Sequence, residues 1–505
     1  MKKRPFKKIL IANRGEIAVR VARACRDLEI PSVAVYSDAD RSSLHVRFAD
    51  EAVRIGPAEP DQSYLSEDAL VEAARKTGAD AVHPGYGFLS ENAGFARRLE
   101  KEKITFIGPP SKALQLTGDK LKARQVMRKA GLRVIPGSDG PVQDEKKLQA
   151  LARDLGLPLM LKAVSGGGGK GMRLIRDAKD LGLTFRMAKS EATAAFGDGE
   201  LYAERFLERS RHIEVQILAD HQGGIRQLGE RECSIQRRHQ KLVEESPSPI
   251  VDADRRETLG AIAMEACRVV GYRGAGTVEF LRDREGNFYF MEFNARLQVE
   301  HPVTELVTGL DLVKWQIKIA AGEPLSLPSK GLHPRGASIE CRIYAEDPSR
   351  EFFPCPGKIR SLRQPSGPGL REDCGIYEGY EVPIHYDPLI SKLIVWGENR
   401  SEAIARMRRA LGEYRILGIS TTLPFHRAVM RDADFCSGRY DTGYVGDLLG
   451  RWNGKADGTH LEDIALAAAA VRDYERRHGR SGWREKGTRN AWKFAHRRRQ
   501  HESRF

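Results

Sequence analysis

The chain has little from which a secreted or membrane protein could be built. Its seven cysteines are scattered, odd in number and free of any CxxC pair, which argues for reduced thiols and a cytoplasmic protein rather than a disulfide framework. No apolar run approaches the roughly 18 residues needed to span a bilayer, so no membrane association is expected. The start, MKKRPFKKILIANRGE, is basic and then apolar, but Asn13, Arg14 and Glu16 interrupt it too early for a signal peptide. Lys8–Ala12 reads instead as a buried first strand. A GxGxxG fingerprint is absent after that strand, where only NRGE stands, so no dinucleotide site is read there. The glycine run at Gly166–Gly169 lacks a Gly-Lys-Ser/Thr ending and is not a Walker loop.

A net charge of +14 suggests nucleic acid until it is located. Residues 471–505 carry 12 Lys/Arg against 4 Asp/Glu, a balance of +8, which leaves only +6 on the other 470 residues. The body is therefore not a nucleic-acid-binding surface. The tail, with Trp483, Trp492 and Phe494 among its arginines, is read as a basic end or docking segment, with nucleic-acid binding kept as an alternative.

At 505 residues two or three domains are expected. Residues 1–114 alternate strand and helix in a doubly wound α/β pattern, with HPGYGFLSEN (83–92) as an unusually turn-rich connection. Residues 115–334 form a second domain with a mobile lid at about 134–206. Gly118-Asp119-Lys120 opens a basic helix there, and the Gly166–Gly169 flap joins two strands. The flap's backbone N–H groups suit phosphate. Lys162, central in the apolar strand PLMLKAV, needs a partner, and a nucleotide phosphate is the simplest. LYAERFLE is expected to be an edge strand leading to a hinge where Glu204 reads an adenine. Residues 335–447 turn antiparallel, an α+β domain that closes against the preceding one, and 448–505 form a helical, basic tail.

The central expectation is a hairpin. GTVEFL (276–281) and NFYFMEFNARLQVEHP (287–302) flank the turn sequence RDREGN. Alternation along the second strand puts Glu292, Asn294, Arg296, Gln298 and Glu300 on one side. If the hairpin is symmetric about Glu285–Gly286, Glu279 faces Glu292. Two such carboxylates repel unless something positive lies between them. Mg²⁺ is the natural candidate, with Asn294 as a third oxygen ligand. QRRHQK (236–241) reads as a short basic loop and an anion site beside these strands.

In order along the chain, IANRGEIA, HPGYGFLSENA, GDK, SGGGGKGM, QRRHQK, GYRGAGTVEF, NARLQVEHPVTE and ECRIYAED resemble biotin carboxylases, over about residues 5–447. The resemblance implies an ATP-grasp fold between a doubly wound N-terminal domain and an antiparallel C-terminal domain. It further implies a ligase that carboxylates biotin N1 from bicarbonate and ATP through carboxyphosphate. Lys120, Lys162, Gly168, Gly169 and His239 are then nucleotide contacts, Glu204, Arg205, Phe206 and Leu207 line the adenine, and His212 and Gln236 face the ribose. Glu279, Glu292 and Asn294 are the implied Mg²⁺ (or Mn²⁺) ligands. Lys241, Arg296, Gln298 and Val299 are implied for bicarbonate and biotin, Glu300 as the base, and Arg342 for the biotin enolate oxygen.

Ala295 stands where Thr is more usual, and Tyr344 where acetyl-CoA carboxylase subunits commonly have Asn. That second departure, with HYDPLISKL, is closer to acyl-CoA, pyruvate or similar carboxylases. No Ala-Met-Lys-Met biotinylation site occurs, so a biotin carboxyl carrier protein and carboxyltransferase subunits are the expected partners, with a homodimer for the chain itself. Fatty acid synthesis is one expected setting, but the final carboxyl acceptor is left open. A different ATP-grasp ligase that activates another carboxylate is the alternative.

Overall fold

Residues 5–164, 171–328, 333–452 and 468–473 are described by the computed structural model. The chain divides into two compact units, Met1–Gly454 and Lys455–Phe505. Of the second unit, residues 468–473 are helical. Gly168 and Gly169 of the flap, most of the Ala-rich segment, and Trp483, Trp492 and Phe494 lie outside the described residues.

The first sheet is parallel and five-stranded. Its strands are β1 (Ile9–Ile11), β2 (Ser32–Ser37), β3 (Glu51–Gly56), β4 (Ala81–His83) and β5 (Thr105–Phe106), in the order β3-β2-β1-β4-β5. The helix Gly15–Asp27 follows β1 and buries Ile17, Ala18, Val21, Ala22 and Cys25. The order reverses between β1 and β4, so the NRGE and HPGYGFLSEN turns meet at the carboxyl ends of those strands, where open α/β sheets bind ligands. Asn13 Nδ2 ties the two turns together by donating to the carbonyls of Pro84 and Tyr86, both at 2.7 Å. The expected doubly wound pattern is present, and β3 is a strand that the alternation of the sequence does not pick out.

A smaller antiparallel sheet follows, built from β6 (Leu159–Ala163), β7 (Met172–Ile175) and β8 (Leu201–Arg205), with β6 in the middle and β8 at an edge. The helices Glu145–Leu155 and Leu181–Phe196 complete a separate core around Leu148, Leu159, Leu161, Ile175, Phe185 and Leu201. This is the segment read as a lid.

The main sheet is antiparallel and eight-stranded. It contains β9 (Arg211–Ala219), β10 (Ile225–Arg237), β11 (Gln240–Ser246), β12 (Gly274–Arg282), β13 (Phe288–Asn294) and β14 (Ala337–Tyr344). Its order is β13-β12-β9-β10-β11-β14, then Leu389–Gly397 and Leu370–Cys374. The 335–447 segment therefore does not simply close against its predecessor. β14 pairs directly with β11, with Val243 opposite Cys341 and Glu244 opposite Glu340, so one sheet runs through both. Such continuity places side chains from both segments on one buried face.

Three local expectations are corrected. Glu279 does lie opposite Glu292, but Phe280 pairs with Phe290 and Arg282 with Phe288. The register near the turn is one residue off the symmetric one, and the slip is absorbed at Met291, which has no partner of its own. A bulge of this kind lets the turn and the carboxylate pair each take the register they need. Second, the extended segment ends at Asn294 rather than running on to Val299. Glu300 instead stands at the N-cap position of the helix His301–Thr308, with no capping bond from its side chain, and Pro302 sits in the first turn. Third, QRRHQK is a two-residue hairpin between β10 and β11, not a loop. Its central residues Arg238 and His239 have φ of 49° and 66°, the signs a type I′ turn needs. Two non-glycine residues in that region are strained, which is more often tolerated at functional sites than elsewhere. Among the described residues no helix is long and apolar enough to cross a membrane, and all seven cysteines are free.

Candidate active site

The inner face of the main sheet carries an unusual load of buried charge. On β9, alternation points His212, Glu214 and Gln216 to one side, as the sequence suggested, and all three are buried. Glu279 on β12 is directly opposite Glu214. Lys241, at the start of β11, sends its ammonium between three carboxylates: Glu214 at 2.6 Å, Glu279 at 3.0 Å and Glu300 at 2.5 Å. The other oxygen of Glu300 accepts from Arg342 Nη2 at 2.9 Å, and Arg342 Nε donates to Glu244 at 2.5 Å. Arg342 is held from behind as well, because its own carbonyl accepts from His426 Nε2 at 2.6 Å and from Thr422 Oγ1 at 3.1 Å.

Beneath this layer Arg231 is fully buried. Its guanidinium donates to Glu214 at 2.5 Å, Gln216 at 2.7 Å, Thr304 at 2.9 Å and Thr277 at 3.0 Å. Sequence reasoning misses Arg231, because an arginine in a strand looks solvent-facing until its neighbours are known.

The charges decide the protonation. Burial alone would raise Glu300, yet Lys241, Arg342 and Arg231 hold it well below the usual carboxylate range. Glu279 is likewise lowered, against its burial, by Lys241 and His212. Three permanent cations face four carboxylates, and burial prevails at two of them: Glu214 is raised despite Arg231 and Lys241, and Glu244 despite its bond to Arg342. Burial outweighs Arg342 there and pushes Glu244 up to about 7.

A stability prediction follows. A carboxylate depressed on folding contributes stability above its unfolded-state value, and that stability is lost as pH falls through the folded value. Glu279 and Glu300 should therefore make the protein lose stability below the ordinary glutamate range, about pH 4.3. Denaturant midpoints should fall steadily from pH 5 to pH 3. Midpoints unchanged over that range would contradict these ionisation states.

Of the expected nucleotide residues, Lys120, Lys162 and His212 lie close enough to His239 for their charges to act on it. His239, open at the hairpin tip, is pushed below its ordinary value by partial desolvation and then by the charges of Lys162, His212 and Lys120. Asp119 caps the helix Lys120–Lys129 and so orients Lys120, which lies 3.6 Å from Glu292. Lys162 has a protein partner: it is ion-paired to Glu204 across the small sheet, and Glu204 also accepts from Arg124 at 2.9 Å. The partner demanded by a buried lysine is thus met without phosphate, and Glu204 holds two cations. At the expected hinge Arg205 ends β8, and the Phe206 N–H donates to Pro158 O at 3.0 Å; Leu207 follows directly. Gln236 pairs with Lys241 in the β10–β11 ladder.

The reason given for a metal at this hairpin changes. Glu279 and Glu292 do face each other, but Lys241 and Lys120 each neutralise one of them, so repulsion alone does not demand an ion. The donor chemistry still fits, since two carboxylates and the Asn294 amide oxygen are hard oxygen ligands of the kind Mg²⁺ takes. His212 Nε2 contacts Glu279 at 2.9 Å, and Gln298 Nε2 reaches it at 3.4 Å.

Arg296 is anchored from the first domain. Its Nε donates to Glu91 at 2.9 Å, and the other Glu91 oxygen accepts from the Ala295 N–H at 2.9 Å. Arg296 also donates to Gln298 at 3.0 Å and to Asn294 at 3.2 Å. Glu91 explains why HPGYGFLSEN looks too elaborate for a plain turn. Glu91→Gln keeps the acceptor but removes the charge from the pair, and should raise the apparent KM for an anion bound at Arg296 by about tenfold or less. Steady-state kinetics at varied bicarbonate would check it.

An ATP-grasp protein is the class that this combination of sheets and buried charge defines. A family model for the biotin carboxylase N-terminal domain matches residues 5–114, one for the carbamoyl-phosphate synthase L chain ATP-binding domain matches 119–328, and one for the biotin carboxylase C-terminal domain matches 340–447. A pyruvate carboxylase subunit of Methanothermobacter thermautotrophicus is 52% identical over 87% of this chain and 89% of its own. Biotin carboxylase of Nostoc sp. is 52% identical over 88% and 99%. The biotin carboxylase domain dimer of Hydrogenobacter thermophilus 2-oxoglutarate carboxylase, solved with MgADP, ADP and bicarbonate, superposes with a TM-score of 0.86. It is 47% identical, over 88% of this chain and 98% of that one. The chain belongs to the biotin carboxylase family.

Proposed function

We propose that this chain carboxylates biotin N1 with bicarbonate and ATP, as the first half-reaction of a biotin-dependent carboxylase. The supporting observation is Glu300 held between Lys241 and Arg342, which joins a phosphate-side cation, a base and a second anion-stabilising arginine in one buried site. Lys120, Lys162 and His239 receive the ATP phosphates, with Gly168 and Gly169 of the flap, while Glu204 to Leu207 receive the adenine and His212 and Gln236 the ribose. Glu279, Glu292 and Asn294 would hold Mg²⁺ or Mn²⁺, which would neutralise phosphate charge.

Bicarbonate binds at Lys241, Arg296, Gln298 and the Val299 backbone. Held between Lys241 and Arg342, Glu300 is a weak base. An anion that takes a share of the Lys241 ammonium raises the proton affinity of Glu300 at the moment it is needed. Glu300 then takes the bicarbonate proton as the freed oxygen attacks the γ-phosphorus, expelling ADP and forming carboxyphosphate. Carboxyphosphate breaks to CO₂ and phosphate. The phosphate removes the biotin N1 proton, and N1 bonds to CO₂. Arg342 stabilises the negative charge that develops on the ureido oxygen. Biotin arrives on a carrier protein that serves carboxyltransferase subunits, and the chain pairs with a second copy of itself.

The test is ATP hydrolysis by the purified chain at varied bicarbonate, with and without free biotin. Turnover that requires bicarbonate and rises with biotin is expected. ATP turnover indifferent to both would point to an ATP-grasp ligase for another carboxylate. Within the same assay, Glu292→Gln should raise the Mg²⁺ concentration needed for half-maximal turnover by about ten- to a hundredfold.

A further inference from the structure

The base lies in a turn whose backbone is gripped from outside the site. Lys392 projects from the strand Leu389–Gly397 and is 0% exposed. Its ammonium donates to the Val299 carbonyl at 2.8 Å, lies 3.2 Å from Glu16 and 3.7 Å from Asp373, and sits 5.9 Å from the centre of the Tyr86 ring. A buried ammonium is tolerated only where charges and acceptors surround it. These come from three parts of the chain. Glu16 opens the helix after β1 and accepts from Tyr86 of the HPGYGFLSEN turn. Asp373 belongs to the neighbouring strand and is held in a two-bond fork by Arg371, at 3.0 and 2.7 Å.

The Gly15–Glu16 turn is itself pressed against that last segment. A side chain at Gly375 would meet the Glu16 backbone nitrogen at 2.8 Å, so the approach needs glycine there.

We propose that Lys392 is a positioning residue for the reaction proposed above, setting the Val299–Glu300 peptide so that the Glu300 carboxylate falls between Lys241 and Arg342. The peptide is planar, so the Val299 carbonyl shares a plane with the Glu300 nitrogen and Cα. Fixing that oxygen fixes the N–Cα axis about which the Glu300 side chain turns, and the helix that starts at the next residue holds φ of Glu300 at −81°. Without the Lys392 contact the plane can rotate, and the bonds from Lys241 and Arg342 must then hold both the side chain and its backbone. Through Glu16 and Tyr86 the same ammonium reports on the seating of the first domain, and through Asp373 on the C-terminal strands. The base is therefore aligned only when all three segments are in place.

This inference rests on the carboxylation reading, and the experiment separates the two. Lys392→Met removes the donor but leaves Glu16 without its cation. The double variant Lys392→Met/Glu16→Gln removes one charge of each sign, and the introduced amide can still accept from Tyr86. Both are compared with the unaltered protein for bicarbonate-dependent ATP hydrolysis, Mg·ATP binding and thermal unfolding. A shift of the Glu300 carboxylate by an ångström or less should lower kcat/KM for bicarbonate by about ten- to a hundredfold. The dissociation constant for Mg·ATP should stay within about twofold, because none of the groups proposed for ATP is among the contacts of Lys392. The double variant should show this loss with little change in melting temperature.

A folded double variant with normal bicarbonate kinetics would overturn the proposal. So would equal losses in ATP affinity, bicarbonate kinetics and melting temperature, which would make Lys392 a purely structural residue. If the unaltered protein shows no bicarbonate-dependent turnover, the carboxylation reading fails and this inference falls with it.

Discussion

Replacing Glu300 by Gln should lower bicarbonate-dependent ATP turnover by about a hundred- to ten-thousandfold, the range for loss of a positioned general base, while Mg·ATP still binds. The amide is close in shape, but it keeps an acceptor oxygen for only one of Lys241 and Arg342, which donate to different oxygens of Glu300, and the proton acceptor is gone. Two cations would then share one fewer negative charge, so the fold should tolerate the change better than loss of Lys241. Single-turnover measurements with saturating ATP separate the chemical step from binding. The expected pattern is a lost rate at unaltered nucleotide affinity. Turnover within about threefold of the unaltered protein would remove Glu300 from the chemistry, since a base contributes far more than that. Arg342→Met tests the other oxygen of the same carboxylate. Its larger effect should fall on biotin-stimulated turnover, because it is the proposed contact to the ureido oxygen.

The largest stability effect should come from Arg231→Met. Arg231 is fully buried and spends its donors on Glu214, Gln216, Thr277 and Thr304. Methionine fills a similar length but leaves Glu214 facing Glu279 and Glu300 with one cation fewer. Removing one partner of a buried ion pair costs about 3–5 kcal/mol, mainly through the charge left behind. Urea unfolding monitored by tryptophan fluorescence would measure it. Arg231→Lys keeps the charge but not the planar fork and should fall between methionine and the unaltered protein. A loss below about 1 kcal/mol for methionine would mean that Glu214 is protonated or solvated, since an uncompensated buried carboxylate cannot be that cheap.

Much of this site is legible in the sequence, for a reason tied to period. In a strand the side chains alternate, so Glu279, Glu292 and Asn294 on one hairpin, and His212, Glu214 and Gln216 on another strand, can be assigned to faces by counting in twos. Glu300 is placed on that face by the same counting, although it stands at the N-cap position of a helix after the strand has ended. Its position among the cations is thus owed to the turn, not to the alternation. The bulge at Met291 is invisible because a one-residue insertion leaves no mark in composition. The tight turn at Arg238–His239 is also hidden, since two basic residues are a poor match for the usual glycine and asparagine of such turns.

Long-range partners are the least legible. Glu91 reaches Arg296 across 205 positions, and Lys392 reaches Val299 across 93. Nothing local distinguishes Glu91 from an ordinary surface charge, and Lys392, although it is a charge in the apolar strand LISKLIVWG, shows nothing of which partners it meets. Lys162 shows the converse: its need for a partner is correctly read from a charge in an apolar strand, but the partner is Glu204 on the adjoining strand.

The sequence by itself determined many of the strands and helices, the parallel first sheet, the face on which the acidic and amide side chains of the site strands lie, and, through its motifs, the family. These depend on short-range steric preference and on the period of apolar residues. Only the tertiary structure decided which charges meet. It joined β11 to β14, so that Lys241 and Arg342 grip one carboxylate from adjacent strands. It also buried Arg231 beneath them and brought Glu16, Asp373 and Lys392 together behind Val299. Coulombic energies in a dry interior depend on separations of a few ångströms between residues far apart in the chain, and no local pattern carries that information.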